Sequence, residues 1–422
     1  MATRVTRTER GSESEPGCGT YEFQPRQVIN PMLRTNARRL WMQWLPRTLI
    51  YGGLLVGATY VLSPRVVAEV PWPQEWRKTD FSKRTVALEE IQSGGPPKDG
   101  IPAIDRPRFA TIEAAARWLD PREPVIVFEH SGDARAYPLQ ILMFHEIVND
   151  TVGGAPVAVT FCPLCNASIV FDRTVKGVAL DFGTTGKLRK SDLVMYDRQT
   201  ESWWQQFTGK GIVGHYAGAD LRQVPSTIAS FSDFRGAFPQ GRVLSRETGF
   251  IRPYGRNPYR GYDRVGDYPF LFSDPVDPRL PAMERVLGVA ADGIVRVYPF
   301  SALSAIRIVN DQVGSQPIAV FTVAGMLSAL DAEVIRNSRR IPAAAAYSRV
   351  AGDRVLNFEL RGNRMIDRET GSQWDIFGKA VAGPLKGERL KPADSGVHFA
   401  FAWLAFHPAS EIYGAAGLAS RK

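Results

Sequence analysis

Part of this 422-residue chain is written twice, and the second writing omits the reactive side chains. Arg135-Ala136-Tyr137-Pro138, Ile147-Val148-Asn149-Asp150-Thr151-Val152-Gly153 and Pro156-Val157-Ala158-Val159 return 161 positions later. There they read Arg296-Val297-Tyr298-Pro299, Ile308-Val309-Asn310-Asp311-Gln312-Val313-Gly314 and Pro317-Ile318-Ala319-Val320. Thr160-Phe161-Cys162-Pro163-Leu164-Cys165 is answered by Phe321-Thr322-Val323-Ala324-Gly325-Met326, and His145 by Ile306. Self-similarity constrains a fold before local propensity does. Residues kept in both copies read as scaffold, and residues lost from the second read as candidates for function.

With a small register shift the likeness continues. Met195-Tyr196-Asp197-Arg198-Gln199-Thr200-Glu201-Ser202-Trp203-Trp204 resembles Met365-Ile366-Asp367-Arg368-Glu369-Thr370-Gly371-Ser372-Gln373-Trp374. Each unit has an ordinary domain size, and two long units do not make a solenoid. The expected fold class is α+β: two pseudo-symmetric, strand-rich repeats with few helices, preceded by an N-terminal transmembrane helix. The boundaries place a disordered basic cytoplasmic tail at 1–44, an anchor or signal sequence at 45–64 and an extended linker at 65–107. Repeat 1, the active copy, runs over 108–245, an aromatic and Arg-rich ordered linker over 246–283, and the degenerate repeat 2 over 284–415.

The net charge of +9 looks like a nucleic-acid signal until it is located. Residues 1–65 hold nine Arg, no Lys and four Glu, so more than half the excess lies there. A basic phosphate-binding surface is therefore not expected, and neither is a nucleic-acid partner. Arg34, Arg38, Arg39 and Arg47 precede the apolar run Leu49 to Leu62, with Trp41, Trp44 and Tyr60 placed as interfacial aromatics. This pattern reads as a single-pass anchor in the inner membrane with the C-terminal domains periplasmic. A cleaved signal peptide, with Ala68 near the cut, is the alternative.

Helices are expected at Thr111 to Leu119, with Thr111 as cap, at Leu139 to Val148, which places His145 in the C-terminal half, and at Ser230 to Phe238. Strands are expected at Val125 to Phe128, Val157 to Phe161, Ile169 to Asp172, Ala179 to Phe182, Leu193 to Tyr196 and Ser202 to Phe207. Between the copies, Tyr254-Gly255-Arg256-Asn257-Pro258-Tyr259-Arg260-Gly261-Tyr262 has two readings. It is an ordered linker packing on both domains, or an aromatic wall over the site of the first copy.

Three cysteines make no disulfide framework. Cys18 precedes the apolar run and reads as an incidental thiol. Cys162 and Cys165 follow a strand, a placement that suits disulfide exchange by a stabilised thiolate or capture of one metal ion by both sulfurs. A closed site needs a second Cys pair, so His or carboxylate must complete a metal site here. His145 is the best third ligand among five His; His130, His215, His398 and His407 are weaker candidates, and His215 is also specific to copy one. Glu146 is a candidate fourth ligand or proton donor, but the favoured reading is a solvated neighbour of His145. Ser191 and Asp192, without matches in copy two, are further residues that can line the site. Lys187, Arg189 and Lys190 read as a solvated loop, or as charges that lower a thiol pKa.

The chain resembles the domain-of-unknown-function 3179 family. The carrying residues are Tyr137-Pro138-Leu139, His145 to Asp150, Thr160 to Cys165, Ser191 to Arg198 and Tyr254 to Tyr259, within roughly residues 100–415. The resemblance implies that His145, Cys162 and Cys165 are signature positions, and it implies no reaction. The preferred reading is a membrane-anchored, extracytoplasmic protein in which Cys162, Cys165 and His145 bind a zinc, copper or iron ion, with Cys162, Cys165 and Glu146 as the chemical groups. The alternatives are a thiol-disulfide oxidoreductase, which predicts an exposed Cys162 of low pKa, and a binding module with a structural Cys162–Cys165 disulfide.

Overall fold

Runs of β-branched and aromatic residues punctuated by Gly and Asx turns build most of the chain, and strands dominate accordingly. The computed structural model describes Trp72 and residues 74–414. Cys18 and the apolar segment at 49–62 lie outside the described residues. Among the described residues there are five α-helices, all short: Ile112–Ala115, Leu139–Leu142, Phe231–Ala237, Phe300–Ile306 and Ala400–Phe406.

The first half contains three larger sheets and a two-stranded hairpin, Thr174–Val175 with Val178–Ala179. One orders Thr227–Ser230, Pro124–His130, Asp133–Pro138, Arg242–Leu244 and Phe109–Thr111. A second orders Arg222–Val224, Ala167–Asp172, Ala155–Cys162 and Ile147–Val152. The third orders Ile91–Ser93, Phe182–Arg189, Asp192–Asp197, Trp203–Gln205 and Gly211–Val213. Pairing is antiparallel except between Arg242–Leu244 and Asp133–Pro138. The second half has corresponding sheets around Arg285–Ala291, Gln316–Leu327 and Arg364–Asp367.

The motifs written twice make the same bonds at both places. Arg135 and Tyr137 hold Asp150, and Arg296 and Tyr298 hold Asp311. Asn149 exchanges two hydrogen bonds with the backbone of Phe182, as Asn310 does with Phe358. Asp197 accepts from Thr200 and Trp204, and Asp367 from Thr370 and Trp374. Gly153 and Gly314 turn their hairpins at φ 53° and 57°. A Cβ on Gly153 would stand 2.2 Å from the His130 carbonyl oxygen, so only glycine fits.

The halves do not keep separate cores. Thr227–Ser230 packs on Arg340–Ser348, and Asp394–Phe399 packs on Ala167–Asp172. The largest apolar cluster joins Ile126, Phe161 and Met195 to Val286, Phe399 and Trp403. The lead-in expected at 65–107 is partly built into the fold, because Ile91–Ser93 adds an edge strand and Ile104 donates to Ile147.

One expected helix is corrected. Leu139 to Val148 is helical only over Leu139–Leu142, and Ile147 already pairs with Thr160 as a strand. Glu146 sits at φ 57° with its N–H on the Leu142 carbonyl, ending the helix. The β-branched Ile147 and Val148 gain a ladder that a helix would forfeit. Arg307, which matches Glu146 in the second copy, has φ 61°, so the left-handed residue belongs to the turn itself. The Thr111 cap is present, accepting from Ala114, but its helix stops at Ala115. Ser230 caps Phe231–Ala237 as expected.

The linker between the halves is pinned by a buried ion cluster. Asp263 is fully buried and meets Arg285 at 2.9 Å, Arg339 at 2.7 Å and the Ser328 hydroxyl at 2.5 Å. Removing the carboxylate strands the buried Arg285, a defect that costs about 3–5 kcal/mol. Asp263→Ala is expected to lower unfolding free energy by about that amount in urea titration; an unchanged midpoint would contradict the pinning role.

Candidate functional site

Two backbone turns converge on one buried spot. The strand Ala155–Cys162 delivers Cys162 at its end, and Pro163 to Asn166 folds back so that Cys162 faces Ala167 in register. Asn166 at φ 49° closes this loop. Opposite it, Lys190 and Ser191 take φ 54° and 61°, the two left-handed residues of a tight hairpin turn that starts Asp192–Asp197. Cys165 Sγ donates to the Ser191 carbonyl at 3.4 Å, and Cys162 Sγ lies 3.9 Å from it. The two sulfurs and an Asp192 carboxylate oxygen all lie within 4.8 Å of one another.

Asp192 is fully buried. Its Oδ2 accepts from Gln205 Nε2 at 2.6 Å and from the Phe207 N–H at 2.9 Å. Its Oδ1 is buried with no hydrogen-bond partner. No basic side chain pairs with Asp192 or Glu146 among the described residues. Burial therefore pushes the Asp192 carboxyl up to about 7, against its bonds from Gln205 and Phe207. Burial first, and then the neighbouring Asp192, pushes Glu146 up to about 8. Burial also raises both thiols, Cys165 strongly.

The linker covers this spot. Tyr262 donates to the Leu164 carbonyl at 3.1 Å, and Ser191 donates to the Phe270 carbonyl at 2.6 Å. Burial of the Tyr259 phenol first, and then the neighbouring Glu146 and Cys162, hold its pKa well above the usual value. The same segment reaches the second half, where Asn257 and Gly261 donate to Glu333 and Asp331. Both readings of this segment hold: it packs on both halves and it walls the site. The second half also touches the cysteine loop directly, because the Phe399 N–H donates to the Cys165 carbonyl at 2.9 Å.

His145 does not join the sulfurs. Its Nδ1 lies 2.7 Å from the Pro102 carbonyl, which can only accept, so Nδ1 carries the proton. Nε2 is then the acceptor from the Tyr254 hydroxyl at 2.6 Å, and Tyr254 in turn meets Thr248 at 2.6 Å. Burial lowers the His145 pKa to about 4, keeping the ring neutral. With both nitrogens committed, the ring lies outside the group of metal-ligating atoms. Asp192 stands where the sequence reading put His145; its signal was that it has no match in the second copy. His215 is exposed, while His398 is buried against Phe207. The charges of Arg189 and Lys190 are taken by Glu90 and Asp274, so they do not serve the thiols.

The exposed, acidic thiol that disulfide exchange requires is not what the geometry provides. Cys162 and Cys165 are 1% and 0% exposed, their pKa values are raised, and the two sulfurs are not bonded to each other.

Fold and site together define a strand-rich protein with a buried dithiol–carboxylate cluster. The chain belongs to the family described as "protein of unknown function (DUF3179)", whose model matches residues 98–410. No curated protein and no solved structure matches the chain.

The raised carboxyls make a pH prediction for the metal-free protein. Asp192 and Glu146 keep a proton when folded across a range in which the unfolded chain, with values of 3.8 and 4.5, has released it. These two groups give the folded state extra protons, and the stability they contribute is lost as pH rises toward about 8; below about 6.5 the buried, neutral His145 and His398 act in the opposite sense, and above it they do not. Urea titrations of chelator-treated full-length protein at pH 6.5 and 8 are expected to show this loss, and Asp192→Asn is expected to flatten it. A stability that rises over that window would contradict the assigned burial.

Proposed function

We propose that Cys162, Cys165 and Asp192 form a metal-binding centre, with Glu146 beside it as a fourth ligand or proton-holding group. The observation that carries this reading is the unpartnered Asp192 Oδ1, buried within 4.8 Å of two cysteine sulfurs. A carboxylate left without a donor in an apolar interior is costly, and a cation removes that cost. Two thiolates and a carboxylate suit zinc or ferrous iron, and the carboxylate makes the set less suited to Cu(I). His145 then acts at a distance, orienting Tyr254 and the covering linker through its fixed tautomer.

On this reading the first half is the active copy and the second a degenerate, supporting copy. The matched bonds of Asp150 with Asp311, and of Asp197 with Asp367, support it, since they are scaffold contacts. The apolar segment Leu49 to Leu62 would anchor the protein in the inner membrane with residues 74–414 in the periplasm. No helix among the described residues is long and apolar enough to cross a membrane.

The test is elemental analysis of the full chain purified in detergent without chelators. About one equivalent of zinc or iron is expected, absent from Cys162→Ser/Cys165→Ser. Asp192→Asn is expected to weaken metal affinity by about 10–100-fold, the range seen when a supporting group is lost, or more if Asp192 is a ligand. His145→Ala is expected to retain the metal. Metal-free native protein, or metal lost from His145→Ala and kept by Asp192→Asn, would overturn the ligand set.

A further inference from the structure

The linker is not held equally along its length. No strand or helix of the described residues falls between Leu244 and Arg285, so each part of this stretch depends on the bonds it makes with its neighbours. From Gly255 to Asp263 those bonds tie backbone to backbone. The Asn257 and Gly261 N–H groups donate to the Glu333 and Asp331 carbonyls at 2.7 Å each, and the Gly255 carbonyl accepts from Ile335 at 3.1 Å. Asp263 is then locked into its buried ion cluster. Phe272 is seated again, buried against Phe401 with ring centroids 5.0 Å apart. Residues 264–271 lie between these two fixed points.

This short stretch is fastened on its inner side and bare on its outer side. The Ser191 hydroxyl donates to the Phe270 carbonyl at 2.6 Å, and Gln92 Nε2 donates to the Leu271 carbonyl at 2.5 Å. Each is a single side-chain bond and not a rung of a ladder. Outward, Val265, Tyr268 and Phe270 are 58%, 64% and 44% exposed, so lifting them takes little apolar surface out of contact. Leu271 sits at φ 53°, a left-handed conformation that strains a residue with a Cβ, at the end of the stretch next to the seated Phe272.

Ser191 joins this stretch to the site. Its hydroxyl carries Phe270, while its carbonyl lies 3.4 Å from Cys165 Sγ and 3.9 Å from Cys162 Sγ. Cys162, Cys165 and Asp192 are 1%, 0% and 0% exposed, so nothing enters from solvent while the cover is down. We infer that residues 264–271 form a gate over the cysteine site, latched by Ser191 and Gln92 and pivoting between Asp263 and Phe272. An ion or a small reagent reaches the two sulfurs when the gate lifts, and the rest of the fold stays closed. The Lys190–Asp274 pair lies beyond Phe272 and keeps the hairpin in place. This inference rests on reading the cysteines and Asp192 as the functional centre, since a gate has a purpose only over a site that exchanges something with solvent.

The test is thiol labelling of the native full chain, carrying Cys18→Ser, in detergent and stripped of metal by chelator. Methyl methanethiosulfonate is the probe, and mass spectrometry follows Cys162 and Cys165 over a series of urea concentrations below the unfolding transition. Labelling is expected with a urea dependence well below that of global unfolding, because a short gate exposes little surface when it lifts. Ser191→Ala and Gln92→Ala are each expected to speed it about fivefold, the effect of one hydrogen bond on an opening equilibrium. Thr248→Val, which removes the bond to Tyr254 on the His145 side of the linker, is expected to leave the rate unchanged. Labelling that follows the urea slope of global unfolding would overturn the gate. So would a rate that either latch variant leaves unmoved, or one that Thr248→Val raises as much. Metal content is read separately: a protein that labels through the gate and carries no metal keeps the gate and refutes the metal reading, and a metal-loaded protein that labels only on unfolding does the reverse.

Discussion

Asp192 beside Cys162 and Cys165, all three removed from water, sets the electrostatic condition around which the first half is built. The surrounding protein answers it with dipoles alone: the Gln205 amide and the Phe207 N–H on one carboxylate oxygen. The other oxygen has only the two thiols beside it. In a low-dielectric interior that arrangement is tolerated by keeping protons on the acids, or by adding a cation. The raised pKa values of Asp192, Glu146 and both thiols are one condition expressed at four groups. It also explains why the dithiol, for which disulfide exchange was the alternative reading, has no means of holding a thiolate by itself.

The same region depends on pieces far apart in the chain. The cysteine loop is held by Tyr262 from the linker and by the Phe399 N–H from the second half. The Asp192 turn is held by Phe270 and, through Lys190, by Asp274. The linker is itself fastened by the Asp263 cluster. The second half is thus not idle in structural terms: it supplies backbone to the loop that carries the two cysteines.

Much of the scaffold was legible in the sequence. Arg135, Tyr137, Asn149 and Asp150 were marked by their recurrence, and each proves to make a buried bond that its counterpart repeats. The cysteines were marked by their absence from the second copy. His145 carried the same mark and yet sits with Pro102 and Tyr254. Its expected position came from a helix extended through Val148; the helix ends six residues earlier because Ile147 and Val148 pair as a strand. Asp192 was the reverse case. It is unmatched in the second copy, but only a tight turn at Lys190 and Ser191 brings it to the sulfurs, and neither residue type announces that turn.

The sequence by itself determined the strand-rich architecture, the repeated bonding pattern and the two cysteines as the centre of interest, because periodicity and recurrence are local and countable. Tertiary structure decided which side chains accompany the cysteines, because that depends on how two turns from separate hairpins meet. It also decided that the thiols are buried. Burial is a property of packed surfaces, and no stretch of sequence contains both of the surfaces that meet.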